Sequence, residues 1–200
     1  MEELLPGLWR WTGPHPAWRP GAEPESPNDW DELVGCVLYE CGDAVVFVDP
    51  LIPPDAASFW EWADQQVGGR RVHVVTTLEP HRRNREQVAH RYRASTSRAR
   101  ANLPPGVRPI PLPGASETMF WLPDIRTLVP GDRILGAPYG GLRLCPESWL
   151  YWVRVDLDGL ASLLEPLLEL PIERVVVSHG EPVLQDGHEA LRRCLSSSAG

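Results

Sequence analysis

The stretch RVHVVTTLEPHRRN, residues 71–84, ends an apolar run in two threonines and then sets Glu79, His81, Arg82 and Arg83 almost side by side. Two later apolar runs end in a comparable way. TLVPGDRILG carries Asp132, and VVVSHGEPV carries His179. An imidazole or a carboxylate at one strand end has an ordinary explanation, because Asp after Gly forms turns and a single His is commonly a satisfied polar group. Brought together at one sheet edge, two imidazoles and a carboxylate make a donor set for one divalent metal such as Zn or Fe.

Positioning such groups requires several strands that finish at the same edge. VLY (residues 37–39) and AVVFV (residues 44–48) read as two strands around a Gly42-Asp43 turn, with Asp49-Pro50 ending the second. Asp55 is placed to cap a helix through about Gln66, which Gly68-Gly69 stop. His73 to Val75 form a third strand, and a helix follows from about Arg83 to Tyr92. GVRPIPLP, ETMFWLPDIRTLVPGDRILG and SWLYWVRVD are expected to add strands. DGLASLLEPLLELP is a helix that Pro166 must kink or restart. IERVVVSHGEPV is a last buried strand, and Asp186 opens a terminal helix. This alternation is an α/β pattern. It is expected to form a single domain over residues 1–200, with an irregular loop at about 12–32 and a short flexible tail at 196–200. Trp9, Trp11, Trp18 and Trp30 crowd that loop and are expected to staple it to the core, the sharper alternative being an aromatic rim around a pocket.

Composition narrows the partners. The net charge of -8 and the pI near 5.2 argue against nucleic acid or an anionic membrane as the general partner. The Arg-rich span from His81 to Arg100 could bind phosphate, yet it fits a helix with a charged solvent face, which the overall acidity favours. No apolar run is long enough to span a bilayer. The opening MEELLPGLWRW carries acids where a secretion signal would be basic, and Cys36, Cys41, Cys145 and Cys194 form no CxxC pair. A cytoplasmic protein with reduced, buried thiols is expected.

In the order PGLWRW, VVFVDP, the TTLEPHRR loop, PLPGASET, VPGDRILG and VVVSHGEP, the chain resembles the metallo-β-lactamase superfamily from about Leu5 to Leu195. The resemblance implies a four-layer αββα sandwich with a two-metal site at the sheet edge, where metal-activated water hydrolyses lactams, thioesters or phosphoesters. The superfamily writes its metal loop T-H-x-H-x-D-H. This chain offers Thr77, Glu79, His81 and Arg82 in place of His, His, Asp and His, and Ala115 in place of a later His. Asp132 remains in the bridging position and His179 in that of the last ligand, while Asp49 matches an aspartate that supports the metal loop by hydrogen bonding.

On these substitutions the first metal position should be empty. The second keeps His81, Asp132 and His179 as ligands if one metal binds, with Glu79 and Asp132 as the catalytic candidates. Arg82 either swings outward or turns in to pair with Asp132 or Glu79, a fixed charge replacing the cation. The expectation is a hydrolase-like protein with a degenerate, metal-free site and altered or lost activity. It would bind a small, possibly anionic ligand through Arg82 and Arg83. The alternatives are a mononuclear Zn or Fe hydrolase and a protein-interaction subunit. His15, in the long loop, is a residue that could reach the pocket.

Overall fold

The structure is a computed structural model that describes residues 1–96 and 103–197. β1 (Glu2–Leu5), β2 (Leu8–Pro14), β3 (Leu33–Cys41) and β4 (Ala44–Val48) form an antiparallel meander. Helix α1 (Ala56–Val67) crosses over to β5 (Arg71–Val75), and α2 (Arg85–Tyr92) to β6 (Ser95–Thr96), so that β4, β5 and β6 run parallel. A second sheet has the order β12-β9-β8-β7, from β7 (Arg108–Leu112), β8 (Glu117–Leu122), β9 (Thr127–Val129) and, parallel to β9, β12 (Arg174–Val175). The hairpin of β10 (Ile134–Ala137) and β11 (Gly141–Leu144), with helices α3 (Leu157–Leu164) and α4 (Gly187–Ser197), completes the chain.

The layering follows from side-chain alternation on strands buried on both faces. On β4, Val45 and Phe47 join Phe59 and Ala63 of α1 and Val88 of α2, whereas Val46 and Val48 face the other sheet. On β8 the same parity sends Phe120 and Leu122 between the sheets, and Met119 and Trp121 toward Leu160, Leu164 and Leu191 of α3 and α4. Three apolar clusters therefore separate four layers, helix–sheet–sheet–helix. Each side chain buried this way contributes about 1.5–3 kcal/mol of transfer free energy, which explains why AVVFV has no polar alternation. The αββα expectation holds.

Helix α1 starts as its sequence implies, with the Asp55 carboxylate accepting from the Ser58 N–H at 3.2 Å, and ends at Gly68 in a left-handed conformation. Pro166 likewise ends α3, since the chain tightens into a 3-10 turn over Glu165–Glu169. Other boundaries differ. The loop begins later than residue 12, because Thr12, Gly13 and Pro14 still pair with Gly35, Val34 and Leu33. SWLYWVRVD forms no strand: after a 3-10 turn at Glu147–Leu150 it runs past the sheets without a ladder partner. The helix expected from Arg83 starts at Arg85, because Pro80 starts a separate 3-10 turn over Glu79–Arg82. Helix α4 continues to Ser197, and residues 198–200 of the expected tail lie outside the described residues, as do Arg98 and Arg100 of the Arg-rich span. All four cysteines are buried and none forms a disulfide. No helix among the described residues is long and apolar enough to cross a membrane.

Asp49, the 79–82 turn, Asp132 and His179 follow β4, β5, β9 and β12, so one edge of the sandwich collects all four. Gly180 fixes the last of these turns. Its φ is +78°, and a Cβ there would stand 2.8 Å from the Gly136 carbonyl oxygen, while Gly136 donates to the His179 carbonyl at 2.9 Å. Gly180→Ala is expected to cost about 2 kcal/mol or more, read as a lower urea midpoint at unchanged m-value. Wild-type stability in this variant would contradict the close approach.

Candidate metal centre

Asp49 organises the centre from beneath. It adopts φ +50°, a left-handed conformation that Asp tolerates better than most residues, and its side chain is buried. Its Oδ1 accepts from the Thr77 N–H at 2.8 Å, and its Oδ2 accepts from the Thr77 hydroxyl and faces His81 Nδ1 at 2.9 Å. A carboxylate in that place fixes the tautomer of the neutral ring: Nδ1 carries the proton, and Nε2 is the nitrogen that takes either a cation or a second proton. The His81 ring is buried, and its Nε2 lies 3.0 Å from Asp132 Oδ1. His179 brings its own Nε2 to 3.4 Å from the same oxygen.

Asp132 is held by Glu117. The buried Glu117 carboxylate accepts the N–H groups of Gly131 (2.9 Å), Asp132 (2.8 Å) and Arg133 (3.1 Å), a three-fold clamp on the PGDR turn. Yet Asp132 Oδ1 is buried and neither imidazole meets it in hydrogen-bonding geometry. Two ring nitrogens and an orphaned carboxylate oxygen, all within 4.8 Å of one another, fit one divalent cation. They do not fit two, because among the described residues no second cluster of this kind converges. Thr77 is turned to Asp49, Ala115 has no donor, and Glu117 Oε2 lies close to the Thr77 hydroxyl, each within 3 Å of where a Cβ on Gly131 would stand.

Glu79 and Arg82 are not brought to this cluster. They face outward, half-exposed, with Arg82 Nε 2.7 Å from Glu79 Oε1. Of the two accounts of Arg82, the outward one describes the structure. Arg83 is the inward residue. At φ +39° it donates from Nη1 to the carbonyls of Gly35 (2.9 Å) and Asp49 (3.1 Å), and from Nη2 to Ser178 Oγ (2.9 Å). Glu117 and Arg133 were not singled out by sequence. An acid opening an apolar strand beside PGAS was the available signal for Glu117. Arg133, 1% exposed, donates to the Ala115 and Trp149 carbonyls.

A cavity of about 290 Å³ opens over the cluster, between the 15–30 loop, the 78–83 loop and the 149–152 segment. His15 does reach it. Its ring stacks on Trp30 at 4.8 Å and lies 6.1 Å from the His179 ring. Trp30 in turn meets Trp149 edge-on at 6.2 Å. The tryptophans thus divide between the two readings: Trp11 is a staple, buried against Phe59 with Nε1 donating to the Leu51 carbonyl, and Trp30 is part of a pocket rim.

Electrostatics follows the geometry. Burial and Arg83 act to lower the His81 pKa, but Asp132 and Asp49 outweigh them and raise it to about 9. Burial would raise Asp132, yet the two imidazoles hold it well below the usual range. Burial pushes Glu117 up to about 7 against the pull of Arg133. His15 falls to about 4, through burial and then the neighbouring His179, Arg83 and His81.

The fold is that of known structures. A metallo-β-lactamase from Erythrobacter litoralis, with β-mercaptoethanol in its active site, superposes with a TM-score of 0.69 over 99% of this chain and 95% of its own, at 16% identity. One from Hirschia baltica gives 0.65 over 98% and 96%, at 16% identity. A metallo-β-lactamase family protein from Thermus thermophilus gives 0.58 over 98% and 81%, at 17% identity. The chain therefore has the metallo-β-lactamase fold, in a divergent form. No family model matches its sequence, and no curated protein does.

Two outcomes are expected. Glu117→Ala removes the acceptor of three buried N–H groups, at a cost of roughly 3 kcal/mol or more, and should lower Tm and weaken metal binding together. A pH series on chelator-treated protein should also show a slope. A His pKa raised from 6.5 to about 9 gives stability that is complete below 6.5 and lost as pH climbs through about 9. Glu117, raised from 4.5 to about 7, contributes with the same sign at lower pH. His81→Gln should abolish the part of the Tm loss between pH 6.5 and 9, and an unchanged slope in that variant would contradict the assignment.

Proposed function

We propose that this is a hydrolase-like protein that binds one Zn or Fe ion through His81 Nε2, Asp132 Oδ1 and His179 Nε2 and a small ligand in the cavity above. The observation that carries this reading is the buried, unpartnered Asp132 Oδ1 facing two imidazole nitrogens. A bound ion would supply Lewis acidity, making a water more acidic and polarising a carbonyl or phosphoryl oxygen. The chain's own residues do the rest. Asp49 keeps the proton on His81 Nδ1, Glu117 holds Asp132 in place, and the Trp30–Trp149 wall and His15 exclude bulk water from one side.

A metal-free ligand-binding protein is the second reading, favoured by the 3.0 Å contact between His81 and Asp132. A proton shared there would answer the same charge as the metal. Four buried cysteines without a disulfide support a reducing compartment such as the cytoplasm.

Protein purified without chelator should contain about one equivalent of Zn or Fe by elemental analysis, and His179→Ala and Asp132→Ala should contain almost none while staying folded by circular dichroism. Metal-free wild type that takes up neither ion at neutral pH would leave the second reading in force.

A further inference from the structure

The cavity has chemistry of its own that the three ligand residues do not use. Its walls are mostly flat or apolar: Trp30, Trp149, Tyr151 and Trp152, with Pro16, Pro27 and Pro80. Asp132 is its one lining carboxylate, and that group faces His81 and His179 and not the open cavity. The two buried acids behind it are also answered, Asp49 by Thr77 and His81, and Glu117 by three backbone N–H groups.

The lining cations are not answered in the same way. Arg83 donates to two carbonyls and to Ser178 Oγ, and among the described residues it makes no ion pair. Arg133, packed 5.2 Å from the Trp152 ring, donates to carbonyls and has Nη2 buried without an acceptor. Arg133 is answered electrostatically by the buried Glu117 behind it, but Arg83 lines the cavity without a carboxylate partner and favours an incoming anion, since a desolvated charge is costly until it is matched. His15 adds a donor. Its Nδ1 accepts from the Ala17 N–H at 3.0 Å, so the ring proton sits on Nε2, and the residue lines the cavity.

Size sets the rest. About 290 Å³ is room for one aromatic ring and a short acidic chain at the floor of the cavity.

We infer that the cavity selects a small monoanion bearing one planar apolar ring, an aryl or arylalkyl carboxylate, its ring against Trp30 and Trp149 and its charge toward Arg83 and the His15 N–H. This rests on the proposed ligand-binding reading of the same site and names the ligand class.

The test uses the full-length protein, with metal content measured on the same sample, and titration calorimetry with phenylacetate, acetate and the uncharged 2-phenylethanol. Phenylacetate should bind at least about tenfold more tightly than either, because each comparison removes one of the two recognition elements. Trp30→Ala should weaken phenylacetate about fivefold or more and acetate by less, since it removes the ring contact outright and only the support of His15, and His15→Ala should weaken both acids. If a variant proves unfolded by circular dichroism, the wild-type comparison alone decides. Equal affinity for phenylacetate and acetate, equal affinity for phenylacetate and 2-phenylethanol, or no binding of phenylacetate overturns the inference. Selective phenylacetate binding by protein that takes up no metal would instead keep this inference and remove the metal reading.

Discussion

Everything at the sheet edge turns on one confrontation: a buried imidazole nitrogen set against a buried carboxylate oxygen, His81 Nε2 and Asp132 Oδ1, 3.0 Å apart. Two acceptors cannot be left facing each other in a water-poor interior. Something positive must sit between or beside them. The surrounding structure makes the confrontation unavoidable. Asp49 takes the other ring nitrogen, so the imidazole cannot turn its proton toward Asp132 without gaining a second one, and Glu117 fixes the turn that carries Asp132.

The scaffold accepts this strain because it is stable elsewhere. The three apolar clusters are built from alternate side chains of the same strands whose ends hold the polar groups. Packing between layers thus determines where the strands stop, and the stops determine where Asp49, His81, Asp132 and His179 meet. Arg83 ties three of those ends by bonding to Gly35, to Asp49 and to Ser178. The cavity above inherits its rigidity from that tie on one side and from the Trp30–Trp149 contact on the other.

Much of this was legible from the chain. AVVFV without alternation announced a doubly buried strand, Asp55 and Gly68 announced the limits of a helix, and the spacing of TTLEPHRR, VPGDRILG and VVVSHGEP announced a shared edge. What was not legible depends on long-range contacts. Whether Arg82 or Arg83 points inward is decided by the 3-10 turn that Pro80 starts and by acceptors that lie 34 to 95 residues away in sequence. Glu117 gave little local sign because its three partners are backbone groups, which every residue supplies. SWLYWVRVD had strand composition, and only the lack of a neighbouring ladder made it a cover instead.

The Glu117 clamp also bears on what can be changed around it. Histidines placed at positions 77, 79 and 115 would be added around an acid already committed to three N–H groups of the turn that carries Asp132. Removing that acid frees the turn that carries Asp132, and keeping it leaves a buried carboxylate behind any new side chain there. A brace that steadies one side chain through its backbone thereby narrows the choice of residue at every position it touches.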